Sequence, residues 1–165
     1  KGCANMNIQT ELFESALCIE KPLYISNIFI SNIAFSELSK LHIYIDFEHG
    51  SKFLCPVCGK EECSTHDTVE KVWRHLNFFQ YKCYIHFRNP KVKCNNCGVH
   101  LFMPPWSRPR SGFTVLFEAF ILTLVKEMPV SKIAELMGEH DTRIWRILHF
   151  HISKAYAMKD FRGLS

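Results

Sequence analysis

The sequence predicts an α+β fold in three parts, on three observations. Residues 41–47 and 81–88 alternate apolar and polar positions, the period of a strand with one buried face. The pattern C-x-x-C-G occurs twice, at 55–59 and 94–98. After a proline-rich break at 103–112, apolar residues recur every three or four positions, which is helical spacing.

Taken in chain order, residues 1–5 carry no pattern and are set outside the fold. In 10–17, Leu12, Phe13, Ala16 and Leu17 are spaced for a short amphipathic helix. Residues 23–30 are rich in β-branched and aromatic side chains and read as a strand. The strand at 41–47 places Leu41, Ile43, Ile45 and Phe47 on one face, with His42, Tyr44 and Asp46 on the other. The two strands are expected to pair through a Ser- and Asn-containing connection. The result is a small α/β-hairpin segment over 6–50 with no visible chemistry.

Eight cysteines without an export signal point to a reducing compartment and to metal rather than disulfides. In each C-x-x-C-G, two thiolates three positions apart can reach one Zn²⁺ at ~2.3 Å, and the glycine tolerates the positive φ of the turn. Cys55, Cys58, Cys94 and Cys97 would complete a closed tetrahedral Cys₄ site holding one structural zinc ion. Such a site contributes about 10–16 kcal/mol of apparent binding energy at pH 7. Thirty-five residues separate Cys58 from Cys94, more than the roughly 15–20 of a compact ribbon. Short antiparallel strands at 69–76 and 81–88 account for the excess, giving a zinc ribbon over 51–103. Cys63 and His66 offer a rival second pair, but that choice strands the matched C-x-x-C-G. A redox dithiol is the other reading, although neither motif opens a βαβ unit. Cys3, Cys18, Cys63 and Cys83 read as ordinary buried or free thiols.

Residues 104–112 hold three prolines and a glycine and read as a basic linker. Its Arg108 and Arg110 are candidates for a minor-groove arm. The helical remainder, 113–158, begins with an apolar stretch at 113–127 that reads as a buried core helix. Met128-Pro129 breaks it. A short helix at 131–137 presents Ile133, Ala134 and Met137 on one face, and Gly138 supplies the left-handed residue of a sharp turn. A second helix starts at His140 or Asp141, with Asp141 as cap or dipole partner. Ile144, Ile147, Leu148 and Ile152 form its expected inward stripe, and Trp145 is expected to pack. These offsets describe a helix-turn-helix. Outward residues His140, Thr142, Arg143, Arg146 and His149, with Lys132 on the first helix, become candidates for nucleic-acid contact. His149 and His151 lie two apart and are read as solvent-facing rather than metal ligands.

Charge is uneven. Residues 1–50 hold 3 basic and 6 acidic side chains, 51–112 hold 10 and 4, and 113–165 hold 7 and 6. The positive charge sits in the middle third, where a polyanion would feel it most. There Lys82, Tyr84, His86 and Arg88 share a strand face, followed by Lys91 and Lys93, a row suited to tracking phosphates. No apolar run approaches the roughly 20 residues of a membrane span.

Four blocks, CPVCG, VWRHLNFFQYKCYIHFRNPKVKCNNCG, PPWSRPRSGFT and MPVSKIAELMGEHDTRIWRIL, follow one another in the chain. From Leu12 onward, including LHIYIDFEHGSKFLCPVCG, the sequence resembles the N-terminal half of bacterial insertion-sequence transposases of the ISL-three family. The resemblance implies a zinc module and helix-turn-helix that recognise the terminal inverted repeats of the element, as double-stranded DNA. It implies a bacterial cytoplasmic, nucleoid-associated protein that forms homo-oligomers as the full-length transposase. It also implies an RNase-H-like domain in which an Asp-Asp-Glu triad holds two Mg²⁺ ions and cuts and joins DNA. The first of those aspartates is expected just beyond Ser165, with 159–165 opening the connection. Recognition, not catalysis, is therefore expected of these residues, and Mg²⁺ of the parent enzyme only. The alternative is a stand-alone zinc-ribbon and helix-turn-helix regulator, or a domesticated transposase remnant. Spaced Asp, Asp and Glu downstream would separate the two. A zinc hydrolase needs an open coordination position, which four thiolates do not leave.

Overall fold

A computed structural model describes residues 4–31 and 39–162. The connection expected between the first two strands falls largely outside the described residues, as do 1–3 and 163–165. The fold is α+β, and the chain divides into two compact units at Val115/Leu116.

The first unit contains helix α1 (Ala4–Ala16) and a six-stranded sheet. Its strands are β1 (Leu23–Ser31), β2 (Lys40–Phe47), β3 (Lys52–Phe53), β4 (Cys63–Phe78), β5 (Tyr81–Cys94) and β6 (Gly98–Leu101). The strand order is β1-β2-β5-β4-β3, with β6 pairing β5 beyond the reach of β2. All neighbours are antiparallel except β2 and β5, which run parallel from Lys40↔Lys82 to Ile45↔Phe87. The expected N-terminal segment and ribbon thus share one sheet across residue 50.

The alternation in β2 and β5 is the alternation of the sheet's faces. Leu41, Ile43, Ile45, Cys83, Ile85 and Phe87 are buried, together with Leu23, Ile25, Trp73 and Trp106. Full burial of such side chains is worth about 1.5–3 kcal/mol each. Leu17 and Ile19, just after α1, close over the same core.

Strands β4 and β5 extend further than the expected 69–76 and 81–88. Asp67 and the Asn89-Pro90 pair look like strand breakers, yet the ladder absorbs both. A register shift between Thr65 and Asp67 takes up one residue. Pro90 donates nothing, but its carbonyl accepts from Phe102 N–H at 2.9 Å, and Asn89 Nδ2 donates to Phe102 O at 3.1 Å.

Residues 104–112 are ordered against this unit rather than forming a free linker. Trp106 and Ser107 are buried, and Trp106 packs edge-on to Trp73 and Phe87. Beside β4, Arg74 N–H donates to Gly112 O and Thr114 N–H donates to Arg74 O. An indole of that size is buried wherever the core leaves room, which outweighs the local turn signals.

The second unit holds the rest of α2 (Val115–Leu124), α3 (Val130–Met137) and α4 (Asp141–Arg162). Helix α2 buries Phe117, Glu118 and Ile121 but leaves Leu116 and Phe120 exposed, so it is not apolar-buried all round as expected. Among the described residues, no helix is long and apolar enough to cross a membrane.

Candidate metal centre and nucleic-acid interface

The register of the sheet explains how cysteines with 35 residues between them meet. The long hairpin of β4 and β5 carries the chain out and back, so that Ser64 pairs with Lys93 while Phe53 of β3 pairs with Cys63. Strands β3 and β5 therefore flank β4 at the same end, and each ends in a C-x-x-C turn. In the first turn Gly59 N–H donates to Cys55 O and Cys55 N–H to Lys60 O, both at 2.9 Å. Gly59 and Gly98 take φ of 72° and 87°, which a Cβ would disfavour although space is open around both.

The sulfurs of Cys55, Cys58, Cys94 and Cys97 all lie within 4.8 Å of one another, with Cys58 and Cys94 at 3.6 Å. Tetrahedral zinc with ~2.3 Å bonds needs sulfurs about 3.8 Å apart, so the four fit one ion with small adjustment. The electrostatics agree. Backbone N–H groups of Cys58 and Val57 lower the Cys55 thiol, and those of Asn96 and Cys97 bring Cys94 down to about 6. These amides favour the thiolate, the form that binds metal. The rival pair does not assemble: Cys63 is buried with its Sγ donating to Lys60 O at 3.5 Å, and His66 is exposed.

In the second unit, Ile133, Ala134 and Met137 of α3 pack with Ile144, Ile147 and Leu148 of α4, all buried. Gly138 joins the helices at φ 60°, ψ 39°. Glu139 N–H donates to Ala134 O at 3.0 Å and Gly138 N–H to Glu135 O at 3.2 Å. This paired capping pattern closes the α3 C-terminus.

Several expectations for α4 are corrected here. His140 takes the cap position, its Nδ1 accepting from Thr142 N–H at 3.4 Å and lying 2.9 Å from Thr142 Oγ1, while Asp141 stands in the first turn as the dipole partner expected of it. Trp145 is not packed but 46% exposed, tilted against His149 at 5.8 Å. Ile152 is 48% exposed and leaves the inward stripe. His151 is not a solvent group, because its Nε2 lies 2.7 Å from Glu118 Oε2, and Glu118 is 1% exposed. An acidic helix position that reads as solvated thus holds a buried carboxylate, and no local pattern announces its partner 33 residues away.

The candidate nucleic-acid residues separate by what already engages them. Thr142, Arg146 and His149 are exposed on the first turns of α4. Arg143 is ion-paired with the largely buried Glu139, and Lys132 with Glu135 at 3.0 Å on the α3 surface. In the first unit Arg88 pairs with Asp46 at 2.9 Å and Lys91 with Asp67 at 3.4 Å. Lys82 is half-buried and Lys93 exposed. Arg110 is exposed with φ 61°, while Arg108 Nη1 donates to Pro109 O at 3.3 Å. Sequence reasoning missed the buried Arg74, His75 and Glu118. Arg74 donates to His75 O and, at 2.6 Å, to Asn77 Oδ1.

Two family models match the chain. One, described as the zinc-finger of transposase IS204/IS1001/IS1096/IS1165, covers residues 51–97. The other, described as the helix-turn-helix domain of transposase family ISL3, covers residues 103–152. No curated protein and no solved structure matches the chain. The first match spans all four converging cysteines and the second spans α3, the Gly138 turn and the start of α4. By these two adjoining regions, the chain belongs to the ISL3 family of transposases and carries its zinc-ribbon and helix-turn-helix DNA-binding domains.

Proposed function

We propose that the chain recognises the terminal inverted repeats of a mobile element as double-stranded DNA, and serves as the recognition region of a DDE-type transposase. The observation that carries this reading is the outer side of α4. Thr142, Arg146 and His149 face solvent, while the opposite side of the same turns is sealed by Ile144, Ile147 and Leu148. A helix so presented fits the ~12 Å major groove. In this reading Arg146 bridges guanine O6 and N7, and Thr142 touches a base edge or phosphate. Lys132 on α3, with Arg143 after exchange of its Glu139 partner, supplies backbone contacts. Arg108, Arg110, Lys82, Arg88, Lys91 and Lys93 contribute phosphate contacts from the first unit, and one structural zinc ion on the four cysteines holds that unit's shape.

Arg146→Ala tests the reading. It should weaken binding to a cognate end by about 1–3 kcal/mol more than binding to random duplex, measured by titration at fixed salt. Equal losses on both duplexes would reduce Arg146 to a backbone contact.

A further inference from the structure

The face of the sheet opposite the core carries a row of rings that the duplex reading does not use. In parallel register, β2 presents Lys40, His42 and Tyr44 beside Lys82, Tyr84 and His86 of β5. Strand β1 sets Phe29 opposite His42. The rings form one continuous array: Phe29 stacks on His42 at 5.0 Å and on Tyr44 at 5.6 Å, and His42 stacks on Tyr84 at 5.9 Å. Tyr44 and His86 lie 4.3 Å apart with planes 8° from parallel. His42 Nδ1 and His86 Nε2 share a hydrogen bond of 2.8 Å, and His42 Nε2 lies 3.0 Å from Ser31 Oγ.

Five rings from three strands are costly on a surface meant only for water, where Thr, Lys or Glu would serve. Burial, joined by Lys40 at His42 and by His42 at His86, lowers both imidazoles below their usual range. At neutral pH they are aromatic faces rather than cations. Phe29 is 41% exposed although it stacks on two neighbours, so its remaining surface is open. Lys40 and Lys82 sit opposite each other at one end of the array, with Lys40 Nζ 5.5 Å from the Tyr84 ring centre. Beside Tyr44 and His86 lies a cavity of about 180 Å³, edged by Ser26, Asp46, Glu70 and Arg88, the last paired with Asp46.

One open ring face at Phe29, backed by the stacked row and flanked by Lys40 and Lys82, matches the chemistry of a nucleotide: a flat base on a phosphate chain. Duplex bases keep their faces inside the stack and offer only edges, so paired DNA is the wrong ligand. We propose that this face binds single-stranded DNA, with the open side of Phe29 stacking an unpaired base and Lys40 and Lys82 taking phosphates. This is a second ligand state, held by residues distinct from those of α4.

The test is fluorescence anisotropy of the full chain with a labelled oligo-dT of about 12 nucleotides, within the span one such surface covers. Phe29→Ala should lose roughly 5- to 150-fold in affinity, the equivalent of one stacked base at ~1–3 kcal/mol. Phe29→Trp should retain binding, and its added fluorescence should be quenched by the oligonucleotide. Arg146→Ala should leave oligo-dT binding unchanged, which separates this proposal from the duplex reading. Unaltered zinc content and thermal midpoint in Phe29→Ala exclude misfolding as the cause of its loss. The proposal is overturned if the wild-type chain does not bind oligo-dT, or if folded Phe29→Ala binds as well as wild type. It also falls if duplex competes as well as the single strand, or if oligo-U of equal length competes better, which would assign the face to RNA.

Discussion

Cys94 and Cys97 share one turn yet are driven in opposite directions. Amide N–H groups, chiefly that of Asn96, lower Cys94 to about 6, whereas the hydrogen bond to Cys58, with burial, pushes Cys97 up to about 12. Four crowded thiols cannot all ionise without a cation between them, so the turn amides favour the first thiolates, and a bound zinc would supply the charge that releases the remaining protons. His75 makes a second residue-scale point. Burial, with Arg74 beside it, lowers this imidazole to about 4 while its Nδ1 lies 2.8 Å from the buried Thr114 Oγ1. The unfolded chain takes up this proton near 6.5 and the folded chain only near 4, so stability is full above 6.5 and falls as pH drops through that window. The loss amounts to about 3 kcal/mol. His75→Gln, which can keep the Thr114 contact, should flatten the acid limb of the stability curve between pH 6.5 and 4, measured by denaturant titration against wild type. An unchanged limb would remove His75 as its source. Such polar residues were invisible in the sequence because Arg74, His75 and Glu118 look like solvated positions, and their partners lie on other elements.

At the scale of elements, alternation and turn chemistry were legible where local rules had no competitor. Inward Ile43 and Ile85 and outward Tyr44 and His86 follow from period two alone, and the Gly138 turn from a single residue between two apolar stripes. Strand extent was not legible, because Pro90 and Asp67 signal breaks that the bulged ladder tolerates. Trp145 misled for a different reason: indoles usually pack, and only the assembled α3–α4 pair reveals that its turn faces outward. Gly138→Ala tests the turn directly. A Cβ at φ 60° costs about 1–2 kcal/mol, so the melting temperature should drop by several degrees with the helical spectrum retained. No change in midpoint would mean that the turn relaxes to another conformation.

At the scale of the whole molecule, the expected division at residue 50 misses a long-range pairing. Parallel strands need no local signal, and β2 meets β5 some 40 residues later along the chain. Since Cys94 ends β5, a metal held by the four cysteines would be tied through that strand to β2, β4 and β6. Chelation should therefore loosen more than the cysteine turns. Hydrogen exchange after verified metal removal should rise across β2, β4 and β5, while α3 and α4, which contribute no ligand, keep their protection. Unchanged exchange throughout the sheet would count against a structural ion.

The parallel seam between β2 and β5 also governs how this protein can be dissected. A fragment opened at Ser51, the intuitive start of a minimal ribbon, would forfeit its neighbour along the row from Lys82 to Phe87. It would bare unpaired amides and carbonyls next to Cys83, Ile85 and Phe87, a template for strand-to-strand clumping. Any soluble excision of the zinc module has to bring the first fifty residues with it.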